Sequence, residues 1–256
     1  MNAGHNAAQS LAGKRVVITG ASRGLGRAMA VAIAGAGAHV SITGRDQDAM
    51  KGTLDAIAAQ GAGSATGYSL DITDHEAHAR FVAEVWEEGP VDAVIANAGI
   101  SNTTPSTEIT RDAFSRVLET NVLGTFDTLQ LFGVRMLERG RGKLITIASD
   151  IGLRGSAGWV AYGASKAAVV NMTKTLAWEW APTLTVNSIA PGAFATDINS
   201  HLLSIPEIMT IIQEATPLGR VGEADEIGPL AVFLCSEGSD FMTGQVVSID
   251  GGIQRS

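Results

Sequence analysis

Two ionisable side chains stand four residues apart in the run AYGASKAAVV, which begins at Ala161. If this run is helical, Tyr162 and Lys166 share a face, because residues four apart lie above one another on a helix. A free phenol has a pKa of about 10, and a nearby ammonium ion stabilises the phenolate and lowers that value. The pair therefore predicts a tyrosine that acts as a general acid or base.

A serine accompanies this pair at the end of a predicted strand. Ser149 closes the run GKLITIAS and lies thirteen residues before Tyr162. Ligands of open α/β sheets bind at the carboxyl ends of the strands, so its hydroxyl can reach a substrate oxygen beside the phenol. A tyrosine and a lysine at this spacing occur by chance in many helices, and the strand-end serine makes the combination far more specific.

The elements that would position these residues alternate along the chain. The predicted strands are 14–19, 39–43, 65–71, 91–97, 142–149, 184–190 and 245–250. The predicted helices are 25–37, 46–60, 73–88, 111–138, 159–180 and 223–236. This alternation predicts an α/β fold, a single doubly wound Rossmann domain whose seven-stranded parallel sheet carries helices on both faces.

Two segments depart from that alternation. Residues 192–220 are apolar without a clean strand or helix period, which predicts a substrate lid containing short helices. Residues 1–12 read as a flexible tail, so the predicted catalytic domain spans 13–256. No Pro/Ser-rich linker divides the chain, which favours one domain.

A glycine-rich loop follows the first predicted strand. The run TGASRGLG places Gly20, Gly24 and Gly26 before the first helix, where glycines allow a tight turn and close approach of the backbone to a pyrophosphate. Many NAD sites carry an acidic residue at the end of the second strand, where this chain has Gly44 and Arg45. Arg23 lies inside the glycine loop, and two guanidinium groups near the ribose suit a 2′-phosphate. NADP is thus the predicted cofactor, with NAD possible. Alternatively, Arg45 is a solvated residue at a helix start, with Asp46 as the N-cap.

Composition excludes several classes of function. The 256-residue chain has a net charge of −8 and no basic block, which argues against binding to nucleic acid or an anionic membrane. No apolar run approaches the ~18 residues that span a membrane. The single cysteine, Cys235, forms no intrachain disulfide and is predicted to be a core residue. The N-terminal residues do not resemble a signal peptide, so a cytoplasmic location is expected.

The ordered motifs together resemble the short-chain dehydrogenase/reductase family of the single-domain type. They extend from Lys14 to Gly252 and read TGASRGLG, LDITD, NAG, NVLGTF, Ser149, YGASK, VNSIAPG and TGQVVSIDGG. The resemblance implies that Tyr162 transfers a proton and that Ser149 orients and polarises the substrate oxygen. It also implies that Lys166 lowers the pKa of Tyr162 and holds the nicotinamide ribose. Asn121 would anchor a water that links Lys166 to solvent; alternatively, it merely caps or kinks the long helix.

The resemblance also assigns the cofactor contacts and the assembly. Asp71 and Ile72 would border the adenine, residues 97–99 the middle of the cofactor, and Pro191 with Gly192 the nicotinamide. The complete predicted cofactor site comprises Gly20, Ser22, Arg23, Gly24, Leu25, Gly26, Arg45, Asp71, Ile72, Asn97, Ala98, Gly99, Tyr162, Lys166, Pro191, Gly192 and Thr196. Alternatively, residues 97–99 only form the turn that ends a strand and do not contact the cofactor. The family usually forms tetramers, so a homotetramer is expected.

The residues predicted to contact the substrate are less clearly indicated by the sequence than those that contact the cofactor. Asp150 departs from the small residue expected in this family and either binds substrate hydroxyls or, as we favour, turns away to cap the next turn. Trp159 is predicted either to wall the pocket or to pack in the core, and Phe194 with the apolar lid is predicted to cover the pocket. Arg154 either pairs with an anionic substrate or, preferably, lies on the surface. His75 and His78 have no third ligand in sight, so we predict a solvated helix face and no metal.

These observations predict an NAD(P)-dependent oxidoreductase that interconverts a secondary alcohol and a ketone. The phrases IAPGAFATDIN and SDIGLRG resemble gluconate and polyol dehydrogenases, so the small-molecule substrate is expected to be a polyol or a sugar acid. A 3-oxoacyl-carrier-protein reductase is the alternative within the class. A non-catalytic nucleotide-binding regulator is an alternative of another class, although such a protein would be expected to lack part of the serine, tyrosine and lysine set.

Overall fold

A seven-stranded parallel sheet organises the computed structural model, which describes residues 10–196 and 204–254. In spatial order the strands are β3 (Ser64–Ser69), β2 (His39–Gly44), β1 (Arg15–Ile18), β4 (Ala93–Ala96), β5 (Gly142–Ile147), β6 (Leu184–Pro191) and β9 (Val246–Ile249). Every neighbouring pair is parallel. The order reverses between β1 and β4, the point at which ligands bind in doubly wound sheets. The predicted fold class is therefore confirmed.

The elements have the following bounds. The strands are β1 Arg15–Ile18, β2 His39–Gly44, β3 Ser64–Ser69, β4 Ala93–Ala96, β5 Gly142–Ile147, β6 Leu184–Pro191, β7 Phe194–Ala195, β8 Gly222–Glu223 and β9 Val246–Ile249. The α-helices of the described residues are α1 Gly24–Gly35, α2 Gln47–Gln60, α3 His75–Glu87, α4 Arg111–Leu118, α5 Gly124–Arg139, α6 Val160–Glu179, α7 Pro206–Ala215 and α8 Gly228–Cys235.

Both faces of the sheet are buried, and side chains of one strand alternate between two cores. Val16 and Ile18 of β1 pack in the core that α1, α2 and α8 cover, whereas Val17 packs in the core beneath α3, α5 and α6. β4 alternates in the same way. A strand buried on both sides is apolar throughout, which is why these short runs were recognisable in the sequence.

The long helix predicted over 111–138 is not a uniform α-helix. A π-helical segment, Glu119–Leu123, separates α4 from α5 and contains the fully buried Asn121. π-Helical turns inside α-helices often mark functional sites. The prediction of one continuous helix is thus corrected at the residue that the family resemblance singles out.

The predicted lid segment contains more regular structure than its sequence indicates. β7 pairs in parallel with β8 to form a second, two-stranded sheet, and α7 follows Ile205. The lid itself stays a prediction, and residues 197–203 of it lie outside the described part of the chain.

The predicted flexible tail ends earlier than expected. Residues 1–9 lie outside the described part of the chain. Leu11, however, is fully buried in the core beside α1, and its N–H donates to the Ala36 carbonyl over 3.0 Å. The prediction of a flexible tail is therefore wrong for residues 10–12, because the Leu11 side chain packs in the core near the end of α1.

The two histidines of α3 differ in environment. His75 is exposed, and its Nδ1 lies 3.0 Å from a carboxylate oxygen of Asp127. His78 is fully buried, and its Nε2 lies 3.4 Å from the Thr128 hydroxyl on α5. The predicted solvated face is correct for His75 and wrong for His78, because α5 covers that side of α3. Burial lowers the pKa of His78.

Two predictions from composition concern burial and membranes. Cys235 is buried in the core, as predicted. Across residues 10–196 and 204–254, no helix has both the length and the apolar character that crossing a membrane requires.

Replacing Leu11 with alanine tests whether the segment before β1 belongs to the core. We expect the free energy of unfolding to fall by about 2–5 kcal/mol, because a fully buried leucine leaves a cavity. Chemical denaturation measures the change, with Leu218→Ala as the control, since Leu218 is 68% exposed. A loss no larger than that of the control would contradict the assignment.

Candidate active site

A cleft of about 1370 Å³ opens at the carboxyl ends of the parallel strands. It brings together residues predicted from distant parts of the sequence. Those that line it are Gly20, Ser22, Arg23, Leu25, Gly26, Arg45, Asp71, Ile72, Asn97, Ala98, Gly99, Ser149, Asp150, Trp159, Tyr162, Lys166, Pro191, Gly192, Phe194 and Thr196. Of the predicted site residues, Gly24 and Asn121 alone are not among the residues that line it.

The glycine loop is packed so tightly that side chains are excluded from it. A Cβ on Gly26 would lie 2.4 Å from the Gly20 carbonyl oxygen, and one on Gly20 would lie 2.7 Å from Cα of Ala98. Gly24 has a φ of +57° and begins α1 against Thr196. No side chain caps this helix start, so its first N–H groups are available to an anion. These features fit the pyrophosphate of a dinucleotide.

The strand end at residues 97–99 fastens the glycine loop. The Asn97 side chain donates to the carbonyls of Thr19 and Gly20 over 2.9 and 2.8 Å. The Thr19 hydroxyl accepts the N–H groups of Asn97 and Ala98, each over 3.1 Å. Sequence reasoning did not single out Thr19, although it directly precedes Gly20.

Two arginines stand at the far end of the cleft, near the ends of β1 and β2. Arg23 is exposed, and Nη1 of the exposed Arg45 lies 3.6 Å from a carboxylate oxygen of Asp71. Hydrogen bonds from Thr73, followed by the charge of Arg45, lower the pKa of Asp71. Asp46 accepts the N–H of Ala49 and is the N-cap of α2, which confirms the prediction that Asp46 caps this helix.

Tyr162 and Lys166 project from the first half of α6 towards the end of β5. Lys166 is buried, and its Nζ donates to the Ile147 carbonyl over 2.7 Å. The same nitrogen lies 5.7 Å from the centre of the Tyr162 ring. Burial lowers the pKa of Lys166 to about 8. The ammonium is thus held by a backbone carbonyl of the strand that ends at Ser149.

The protonation of Tyr162 differs from the family-based expectation. Removal from water raises the pKa of Tyr162 to about 12, the negative charge of Asp150 acts in the same direction, and a hydrogen bond with Ser149 opposes both. The resemblance implied a lowered value. Lys166 is not among the groups that shift this pKa here, because its ammonium ion bonds to the Ile147 carbonyl, so the implied role of Lys166 in lowering the pKa of Tyr162 stays a prediction.

Ser149 is buried beside the phenol in an extended conformation, with a φ of −168°. Its hydroxyl accepts the N–H of Ile151 over 3.2 Å and donates to Oδ1 of Asp150 over 3.0 Å. Asp150 does not turn away to cap the next turn, since its buried carboxylate faces Ser149 and Arg154. Arg154 lines the cleft, and its side chain is 36% exposed, so the preferred surface role for it stays a prediction.

Asn121 reaches the same centre from the π-helical segment. Its side chain accepts the N–H of Ile100 over 2.8 Å and donates to the Ile100 carbonyl over 2.9 Å and to Ser165 over 3.0 Å. A Cβ on Gly99 would lie 3.1 Å from Oδ1 of Asn121 and 3.6 Å from Nζ of Lys166. Ser165 was missed in the sequence, although it directly precedes Lys166.

The substrate side of the cleft combines aromatic and aliphatic walls. The rings of Trp159 and Tyr162 meet edge to face with centres 5.4 Å apart. Phe194 of β7 is buried and lines the cleft, together with Ile208, Ile211 and Ile212 of α7. Within the described residues, no group of three or more His, Cys, Asp or Glu side chains is arranged to hold a metal ion.

Comparison with known proteins identifies the family. Residues 20–254 match a family model described as enoyl-(acyl carrier protein) reductase. Gluconate 5-dehydrogenase of Gluconobacter oxydans (strain 621H) is 37% identical over 249 residues, which cover 96% of this chain and 97% of that protein. The chain belongs to the short-chain dehydrogenase/reductase family. It is therefore an oxidoreductase.

Solved structures of this family superpose closely on the chain. One is assigned as an NAD(P)-dependent gluconate 5-dehydrogenase from Beutenbergia cavernae and contains NADP at low occupancy. It is 38% identical with a TM-score of 0.91, and the match covers 96% of this chain and 98% of that one. Another is a gluconate 5-dehydrogenase from Burkholderia cenocepacia J2315, solved with NADP and tartrate. It is 30% identical with a TM-score of 0.91, and the match covers 97% of this chain and 98% of that one. The dehydrogenase/reductase fold thus extends over nearly the whole chain.

Replacing Lys166 with methionine tests the cost of burying an ammonium ion in this dehydrogenase/reductase. Lys166 has a pKa of about 8 in the folded protein against an ordinary value of 10.5, so its burial destabilises the fold fully below pH 8 and not above pH 10.5. We expect the variant to be more stable by about 1 kcal/mol at pH 7, a difference that shrinks as the pH rises from 8 to 10.5.

Urea denaturation at pH 7 and pH 10 measures this difference. Lys174→Met on the exposed side of the same helix is the matched control, and we expect no comparable change with pH. A Lys166→Met variant that is less stable than the wild type at both pH values would contradict the assignment.

Proposed function

We propose that the protein interconverts a secondary alcohol and a ketone with NADP as the preferred cofactor and Tyr162 as the general acid or base. The observation that carries this proposal is that Ser149, Tyr162 and Lys166 line the same cleft as the glycine loop. The reaction needs a proton donor or acceptor next to a nucleotide site, and both lie in this cleft.

The residues of the cleft fit a dinucleotide. The glycine loop and the uncapped start of α1 would hold the pyrophosphate, and Arg23 with Arg45 would bind the 2′-phosphate of NADP. The proposal draws further support from the NADP in the relatives from Beutenbergia cavernae and Burkholderia cenocepacia. When bound, the nicotinamide of NADP supplies or accepts a hydride.

The remaining cofactor contacts follow from the lining of the cleft. Asp71 and Ile72 would border the adenine, and residues 97–99 the centre of the dinucleotide. Pro191 and Gly192 would flank the nicotinamide, with Thr196 beside them. A Cβ on Gly192 would lie 2.7 Å from Cα of Asp250, so this strand end admits no larger residue.

The side chains of this chain would handle the proton and the substrate oxygen. At neutral pH the Tyr162 phenol is protonated and is placed to donate to the oxygen of a ketone. Ser149 would orient that oxygen, and Lys166 would bind the ribose and stabilise the phenolate that donation leaves. Asn121, in its π-helical turn, would anchor a water that connects Lys166 to solvent.

A polyol or a sugar acid is the proposed substrate class. Asp150 lines the cleft beside Ser149 and offers a carboxylate to substrate hydroxyls, while Trp159 and Phe194 wall the pocket. The names of the relatives, gluconate 5-dehydrogenases, and the tartrate in one of their structures support a polyhydroxy acid.

A 3-oxoacyl-carrier-protein reductase is the second candidate. The aliphatic side chains of Ile208, Ile211 and Ile212 on the cleft side of α7 favour it, since an acyl chain buries apolar surface. The acyl-carrier substrate named in the matching family model points in the same direction.

We also propose a homotetramer in the cytoplasm. Large apolar side chains of Leu123, Val134 and Trp178 are exposed around α5 and α6, and Trp178 is 87% accessible. Such surfaces in a single chain are typical of interfaces between subunits. The lone cysteine is buried and unpaired, which agrees with a reducing compartment.

Replacing Tyr162 with phenylalanine tests the proton-transfer role. We expect turnover to fall by about 10²–10⁴-fold, because the general acid is lost while the ring remains. NADPH and NADH oxidation would be measured against 3-ketoacyl thioesters, keto-sugar acids and simple ketones. The only other tyrosine, Tyr68, gives the control Tyr68→Phe, which should leave turnover near that of the wild type. Full activity of the Tyr162 variant would refute the proposal.

Replacing Arg45 with alanine tests the cofactor preference. We expect the KM for NADPH to rise about tenfold, since a charge-assisted contact to the 2′-phosphate is lost, while the KM for NADH changes little. Steady-state kinetics with both cofactors measures the two constants, and Arg80→Ala on α3 is the surface control. Equal and unchanged constants for the two cofactors would disprove NADP preference.

A further inference from the structure

A buried charge pair stands directly behind the Ser149 hydroxyl. Asp150 is almost completely buried, and its Oδ2 accepts a hydrogen bond of 2.7 Å from Nη2 of Arg154, one turn later in the chain. Its Oδ1 accepts the hydrogen of Ser149 over 3.0 Å. The sequence thus places a carboxylate where the family would have a small residue, and the structure connects it to the reacting centre.

The Ser149 hydroxyl is held in one orientation by these contacts. Its hydrogen is directed to Asp150, and one of its lone pairs accepts the N–H of Ile151. One lone pair remains for the phenol or for a substrate hydroxyl. Any substrate oxygen that takes the Ser149 hydrogen has to compete with a carboxylate for it.

The charge of Asp150 is only partly balanced by Arg154. The pair is joined by one hydrogen bond, whereas the strongest arginine–carboxylate pairs use two. Nε of Arg154 is buried and has no hydrogen-bond partner within the described residues, and the side chain is 36% exposed. Solvent therefore weakens the contribution of Arg154, while the carboxylate stays in the buried environment where its charge acts most strongly.

Other charged groups near the phenol belong to different elements. Lys166 approaches from α6, but its ammonium ion bonds to the Ile147 carbonyl. Arg116 and Glu119 line the same cleft from α4 and the π-helical segment and carry opposite charges. Among all these groups, Asp150 is the one whose charge raises the pKa of Tyr162.

We propose that Asp150 is a positioning residue that fixes the Ser149 hydroxyl and places a negative charge beside the Tyr162 phenol, and that Arg154 limits the effect of that charge. The pair sets the pH range in which the centre works. This inference rests on the proposed function of Ser149 and Tyr162, and it adds two residues that act through them.

Two variants with opposite effects on charge test the proposal. In alcohol oxidation, kcat/KM should rise with pH as Tyr162 loses its proton. Asp150→Asn leaves Arg154 unbalanced and should move the midpoint of this rise down by about one pH unit. Arg154→Gln leaves Asp150 unbalanced and should move it up, and the double variant should lie between them. Arg154→Lys keeps the positive charge and should stay near the wild type.

The charge on the phenol can also be read directly, without turnover. Because the chain has two tyrosines, a Tyr68→Phe background leaves Tyr162 as the only phenol, and its ionisation is measured by phenolate absorbance in the near ultraviolet. The Asp150 and Arg154 substitutions are then compared in this background, with circular dichroism at each pH to exclude unfolding. The midpoints, fitted from the phenolate fraction at the pH values where the fold persists, should shift in the same opposite directions as the kinetic ones.

The outcomes separate this inference from the proposed function. Opposite shifts of the absorbance midpoint support the pair, and identical midpoints in all variants overturn it. Loss of activity in both variants with unchanged midpoints also overturns it, because that is the result of a purely structural role. An active Tyr162→Phe enzyme would refute the proposed function, and the absorbance titration would still decide the role of Asp150.

Discussion

The hydrogen bond from the buried Lys166 ammonium ion to the Ile147 carbonyl constrains the whole centre. It fixes α6 to the end of β5, two residues before Ser149. Backbone must approach closely on every side: a Cβ on Gly152 would lie 2.7 Å from the Lys166 side chain, and one on Gly99 would lie 3.6 Å from its Nζ. The small residues around this lysine are therefore a requirement of placing a cation there, since a charge without a partner is costly to bury.

Irregular backbone surrounds that bond on the other elements. The π-helical turn at Glu119–Leu123 orients Asn121 towards Ile100, and a short 3₁₀-helix, Asp150–Gly152, follows Ser149 directly. Neither would be needed to cover the sheet, because regular helices do so elsewhere in the fold. The first directs Asn121 to Ile100 and Ser165, and the second leaves the Asp150 carboxylate facing Ser149 and Arg154, so the chain departs from regular geometry where polar side chains of the site need a specific direction.

The sequence predicts the sheet and the lining of the cleft well for physical reasons. Strands buried on both faces have to be apolar, and a parallel sheet brings their carboxyl ends to one edge, so Gly20, Asn97 and Ser149 had to meet. The environment of His78 was not predictable, because it depends on α5 packing across α3. The pair β7–β8 was equally hidden, since strands of two residues carry no period.

The protonation of the phenol shows most clearly what spacing alone does not determine. The four-residue spacing correctly predicted that Tyr162 and Lys166 lie on one face of a helix. The ammonium ion nevertheless bonds to a carbonyl, and desolvation raises the pKa of the tyrosine. The balance depends on distances of a few ångströms among an ammonium ion, a carboxylate and a hydroxyl, and these distances arise from tertiary packing.

The cleft therefore has two chemically different kinds of lining around the Tyr162 phenol. Asp150 and Arg154 contribute a carboxylate and a guanidinium next to Ser149, whereas α7 contributes isoleucines to the same cleft. A polyhydroxy acid has hydroxyls that can donate to the carboxylate and its own carboxylate to accept from the guanidinium, whereas an acyl chain matches the isoleucines. If Asp150 is already engaged with Ser149 and Arg154, however, a substrate hydroxyl has to share that carboxylate. Substrate binding and the protonation of Tyr162 are then coupled through one side chain, and the choice of substrate and the working pH of the enzyme are linked.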